Sequence, residues 1–145
     1  MVKEKNGTKI AFKELYPDVS KEDEERTYCE IEIMSQFDYI SIQKIYGYIK
    51  RNKKKNSLSA VLSLFEENGF LNSFIIKNPP ELDFTQKYII MYGIAAGMYY
   101  LHFNITVHFD LKPKSILLNN KMEPIISDFH FAQRESDNLR IEKIY

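Results

Sequence analysis

The chain has 145 residues, enough for one domain with a real core, and its 44% apolar and 28% charged content excludes wholesale disorder. Twenty basic residues balance twenty acidic ones, so no global field points to nucleic acid or to an anionic membrane. MVKEKNGTKI at the start lacks a signal-peptide apolar core, and the longest apolar patch, around GIAAGMYYL, is too short and interrupted to span a bilayer. A single cysteine, Cys29, has no internal disulfide partner; the expected address is a reducing compartment, the cytoplasm first and the nucleus second.

In chain order, TKIAFKEL (8–15) reads as a short strand ending before Pro17. SKEDEERTYCEIEIMSQF (20–37) reads as a helix, with Ser20 as N-cap, acids in the first turn where the helix dipole favours them, and Ile33, Met34 and Phe37 on an apolar face. IQKIYGYI (42–49) and LSAVLSLF (58–65) read as strands joined by KRNKKKN. That basic run fits a solvated hairpin tip better than a nuclear-localisation or phosphate-binding patch. GFLNSFII (69–76) reads as one short helix before the NPPELD break.

Residues 84–103 carry Ile90, Ile94, Met98 and Leu101 at helical spacing, which predicts a long buried helix capped by Thr85. Its Met and Tyr residues fit packing rather than a cofactor box. SILL and PIIS suggest two short strands joined through NNKME, and the tail RESDNLRIEKIY shows little pattern. There is no internal repeat and no low-complexity segment. The order predicts an α+β arrangement, sheet-rich first and helical later.

Four stretches carry chemistry: KIAFK (9–13), CEIEIM (29–34), VHFDLKPKSILL (107–118) and ISDFH (126–130). Together, in this order, they resemble the protein-kinase family, over about residues 7–133. DLKP favours the serine/threonine type over tyrosine, and EENGFL with ISDF looks most like the tyrosine-kinase-like group. The resemblance implies an incomplete two-lobed fold: a partial kinase-like domain over 1–133, with the N-lobe and hinge at about 7–66 and the start of the C-lobe at 67–133, then a truncated activation-segment tail at 134–145.

Phosphoryl transfer asks a protein for positioning and charge neutralisation rather than covalent chemistry. By the resemblance, Lys13 steadies the ATP phosphates and Glu30 holds Lys13. Asp110 accepts the acceptor hydroxyl's proton, Lys112 lies beside the transferred phosphate, and Asp128 binds Mg²⁺, a hard cation that wants oxygen ligands. Ala11 and Leu117 sandwich the adenine, Ser63 guards the back of the pocket, and Leu64, Phe65 and Glu66 form the hinge. Met34, Ile45, His108 and Phe129 stack across the lobes. The plainer alternatives are an ordinary surface ion pair for Lys13 and Glu30 and a core histidine for His108.

The pattern also departs from the family. Phe109 replaces the loop arginine that pairs with an activation-segment phosphate, an interaction phenylalanine cannot make. Ser115 replaces an asparagine metal ligand; its hydroxyl can ligate Mg²⁺ but is shorter and is expected to lack the amide's second hydrogen bond. His130 replaces the glycine of DFG, which predicts a stiffer segment. Only Gly7 precedes Lys13 where the family has a Gly-rich loop, so most of the first two strands are expected to be missing. No A-P-E motif follows Phe131.

Three readings follow. One is a serine/threonine kinase using ATP and Mg²⁺ on a protein substrate, impaired as written. Another is a pseudokinase-type module that binds nucleotide or a partner kinase. The third is a remnant of a longer kinase gene, for which severed lobes predict exposed apolar patches.

Overall fold

A computed structural model describes residues 2–5, 7–15, 21–49, 59–77 and 82–134. Ser20, the KRNKKKN run, most of the NPPELD break and the tail after Arg134 lie outside the described residues.

The first half builds a four-stranded antiparallel sheet in the order β1-β2-β4-β3, from β1 (Val2–Lys5), β2 (Thr8–Leu15), β3 (Ile45–Ile49) and β4 (Ser59–Leu64). Strand β1 was not anticipated: VKEK has too little apolar alternation to signal a strand. Lys5 pairs with Thr8 across a tight turn at Gly7, whose φ of 77° suits a residue without Cβ. Strand β3 begins at Ile45 rather than Ile42; Ile42 instead bridges in parallel to Ile126, joining this half to the next.

Helix α1 (Lys21–Ser35) packs against β3 and buries Ile33 and Met34 on its apolar face. The predicted helix at 69–76 is divided. Gly69–Phe70 forms β5, because its backbone pairs with β7 (Ile116–Leu118), and α2 covers Leu71–Lys77. With β8 (Pro124–Ile126), β5 and β7 make a second sheet of three strands. A two-stranded ribbon joins β6 (Thr106–Val107) to β9 (Gln133–Arg134).

Helix α3 (Phe84–Phe103) matches its predicted span, but its cap is Asp83, not Thr85. Asp83 is extended, and its Oδ1 accepts from the Gln86 N–H at 2.7 Å while Gln86 Oε1 accepts from the Asp83 N–H at 3.0 Å. Gly93 and Gly97 let the helix lie close to β8: a Cβ on Gly97 would sit 2.7 Å from Ile126 Cδ1. Only one side of α3 is buried. Ile90 and Leu101 face the core, whereas Phe84, Tyr88, Met91, Tyr92, Tyr99 and Phe103 are exposed.

One apolar core spans both halves, combining Ile33, Met34 and Phe37 with Leu101, Leu118, Ile126 and Phe129. Leu101, Leu118 and Ile126 are fully buried, each contributing roughly 1.5–3 kcal/mol relative to exposure. Among the described residues no helix is long and apolar enough to cross a membrane.

Candidate active site

The register of the first sheet lines up one row of side chains. Val2 pairs with Ala11, Ala11 with Ser63, and Ser63 with Ile45, and all four wall a cleft of about 440 Å³. The opposite wall comes from the second sheet through Leu117, and the far end is closed by Glu30, Met34 and Asp128. The structure thus brings Ala11, Lys13, Glu30, Ser63, Phe65, Glu66, Leu117 and Asp128 to one cleft. Asp110, Lys112 and Ser115 are not in its wall but on the loop beside it.

Lys13 is the electrostatic centre of the cleft. Its Nζ lies 3.3 Å from Glu30 Oε1 and 3.6 Å from Asp128 Oδ1. Strand β2 and helix α1 supply the first pair from residues 17 apart in sequence. Glu30 is buried while Lys13 is half exposed, so only one end of the pair is open to solvent.

The loop over 107–115 is built from local hydrogen bonds. His108, fully buried, lies with its Nε2 3.0 Å from the Ser127 carbonyl, while its Nδ1 accepts from the Asp110 N–H at 3.3 Å. Because Nδ1 accepts, the proton belongs on Nε2, which donates to Ser127. The Ser127 N–H and hydroxyl both donate to the Ser115 carbonyl, at 2.8 and 3.1 Å. The catalytic-type loop and the Asp128 segment are therefore one hydrogen-bonded unit. Phe129, buried, packs its ring on His108 with centroids 4.8 Å apart and shares the core with Met34; Ile45 packs against that cluster.

Ser115 departs from expectation. It is fully buried in a 3-10 turn (Pro113–Ser115) rather than in a strand. Its Oγ accepts from the Lys112 N–H at 3.0 Å and lies 3.1 Å from the Asp110 carbonyl and 2.9 Å from that of Lys112. The hydroxyl is committed to the loop backbone, with its single proton shared between two nearby carbonyls.

The Lys112 ammonium donates to the Asp110 carboxylate, and that hydrogen bond, helped by the charges of Asp110 and Asp128, raises the lysine's pKa. Two residues here adopt left-handed backbone, Phe109 at φ 60° and Asp128 at φ 64°. His130 is not among the residues with positive φ, so replacing glycine there imposes no left-handed strain. Its ring stands edge-on to Phe131, over whose face the Arg26 guanidinium lies 6.0 Å from the centroid.

Sequence reasoning left several wall residues without a role, among them Val2, Phe70 and Gln43. Val2 follows from the unanticipated strand. Phe70 follows from β5. Gln43, whose Nε2 donates to Ser63 Oγ at 3.0 Å, is the one polar side chain that IQKIYGYI directs inward, and its polarity beside Ile42 was the available signal.

The protein tyrosine and serine/threonine kinase profile matches residues 1–143. The chain belongs to the protein kinase family. Among curated relatives, it is 33% identical over 132 residues to the LEAF RUST 10 disease-resistance locus receptor-like protein kinase-like 2.4 of Arabidopsis thaliana, covering 88% of this chain and 21% of that protein. It is 35% identical over 108 residues to Protein SUPPRESSOR OF NPR1-1 CONSTITUTIVE 4 of the same plant, covering 72% of this chain and 9% of the relative. Against ephrin type-B receptor 3 of Xenopus laevis the identity is 32% over 136 residues, covering 94% and 13%. The kinase-family chain thus spans about a fifth or less of the length of these relatives. Its incomplete α+β kinase architecture, sheet-rich in the first half and helical later, agrees with the sequence reading.

Proposed function

We propose that this chain is a nucleotide-binding kinase domain, lobes meeting near residue 66, whose chemistry is transfer of the ATP γ-phosphoryl group to a serine or threonine hydroxyl of a protein. The observation that carries the reading is the position of the Lys13 ammonium between the carboxylates of Glu30 and Asp128. A cation held there steadies polyphosphate, and the buried carboxylate of Glu30 fixes where it stands.

Asp128 fits a hard divalent cation: its carboxylate is part-exposed at the cleft end, an oxygen donor beside the phosphate-binding lysine. Bound there, Mg²⁺ supplies charge neutralisation for the phosphates. Ser115 is the weaker candidate ligand, since its hydroxyl already serves three backbone groups. In this reading Asp110 is the base that takes the acceptor hydroxyl's proton, supported by Lys112 against it to balance charge. Ala11 and Leu117 supply apolar faces for a flat base, and Ser63, Phe65 and Glu66 bound its edge. The sole, unpaired Cys29 supports a reducing, cytoplasmic setting.

With Ser115 committed to the loop and Phe109 in place of the arginine, weak transfer is the expectation. The same two features favour a second reading, a pseudokinase-type module that binds nucleotide or a partner kinase without turnover. Incubation with radiolabelled ATP, Mg²⁺ and a generic basic protein substrate separates them. Slow incorporation that vanishes in Asp110→Asn supports transfer; nucleotide binding with no incorporation supports the module; neither binding nor incorporation contradicts transfer and nucleotide binding alike.

A further inference from the structure

The segment Leu64–Glu66 has a second cavity on it, separate from the nucleotide cleft. Two adjoining hollows, about 390 and 560 Å³, share Ile40, Leu64, Glu66 and Ile125. Only residues 64–66 are common to these hollows and the cleft. The other walls come from the connection between α1 and β3, from residues 7–9 at the start of β2, from Glu67 and from the turn between β7 and β8.

Glu66 is the unusual group in this cavity. It is 8% exposed, and its carboxylate has no hydrogen-bond or ion-pair partner among the described residues. The nearby lysines do not serve it. Lys9 pairs with Glu67 at 2.9 Å, Lys44 pairs with Asp38 at 2.9 Å, and exposed Lys121 makes no ion pair to it. The carboxylate oxygens are not sealed from solvent, but the residue around them is largely buried and the charge of Glu67 stands beside them, so the anion is poorly compensated. Burial first and Glu67 second push its pKa up, as expected for an anion short of a partner.

We propose that this cavity binds an organic cation, an amidinium or guanidinium on an apolar arm, with Glu66 as counter-ion and Ile40 and Ile125 as apolar walls. A planar fork matches a carboxylate with two parallel hydrogen bonds and is more weakly hydrated than an ammonium, so it enters an apolar cavity more readily. The inference does not rest on nucleotide binding.

Thermal unfolding of the whole chain tests it with benzamidine, with its neutral isostere benzamide, and with a capped Phe-Arg-Phe peptide. A ligand held by the folded state raises the melting temperature by mass action. Benzamidine is expected to raise it by several degrees and benzamide is not. A shift with the peptide as well identifies the source as a partner's arginine; a shift with benzamidine alone identifies a small molecule. Glu66→Gln and Ile40→Lys, the latter at an exposed rim position, should both lose the response, and Asp128→Ala should keep it. Equal shifts with benzamide, no shift with either cation, an unchanged response in both cavity variants, or loss of the response in Asp128→Ala would each overturn the proposal.

Discussion

Lys13 Nζ lies 3.3 Å from Glu30 Oε1 and 3.6 Å from Asp128 Oδ1, so one cation from β2 joins helix α1 to the Asp128 segment. Lys13 is half exposed and Glu30 is buried, so the two ends respond differently to mutation. Lys13→Met leaves a buried carboxylate unsatisfied, and stability should fall by about 1–3 kcal/mol. Adding Glu30→Leu should recover most of that loss in a urea titration. The double variant, though stable, should remain at least about tenfold weaker for Mg²⁺-ATP, or about 1.4 kcal/mol.

Ser115 holds the loop through three backbone groups. Ser115→Ala removes the fully buried hydroxyl that accepts from the Lys112 N–H and ties it to the loop backbone. The expected cost is about 1–3 kcal/mol in chemical denaturation. No loss would mean that the hydroxyl is not a structural element of the loop.

The contact between α3 and β8 depends on Gly97. Its Cβ would lie 2.7 Å from Ile126 Cδ1 and 3.2 Å from Ser41 Cβ. Gly97→Ala should therefore destabilise by about 1–3 kcal/mol, although alanine is the better helix former. A gain in melting temperature would show that the helix propensity outweighs the contact.

Much of this was legible in the sequence because the signals were local. The periodicity of Ile90, Ile94, Met98 and Leu101 marked α3, and the ordered motifs placed Lys13, Glu30 and Asp128 at one site. What was illegible depends on partners distant in the chain. Gly69–Phe70 is a strand only because β7 lies beside it. Asp83 outcompeted Thr85 as cap because Gln86 could reciprocate its bond. The role of Ser115 turned on where its hydroxyl points, which the residue type leaves open. Burial of Glu66 likewise arises from tertiary packing, since EENGFL reads as a polar turn.

Glu66 also makes stability depend on pH. Its folded pKa is raised above the ordinary 4.5, so the unfolded chain releases this proton first. The contribution is fully present below 4.5 and is lost as pH rises through the folded value. Glu66→Gln should consequently melt higher than wild type at neutral pH, with the gap closing below 4.5. A constant gap at all pH values would contradict the titration.

Thermal unfolding of the 145-residue chain with and without Mg²⁺-ATP, beside Asp128→Ala, tests the central claim most directly. The account predicts a cooperative transition that Mg²⁺-ATP raises in the wild type and leaves unmoved in the variant. A cooperative transition indifferent to Mg²⁺-ATP in both proteins would contradict it.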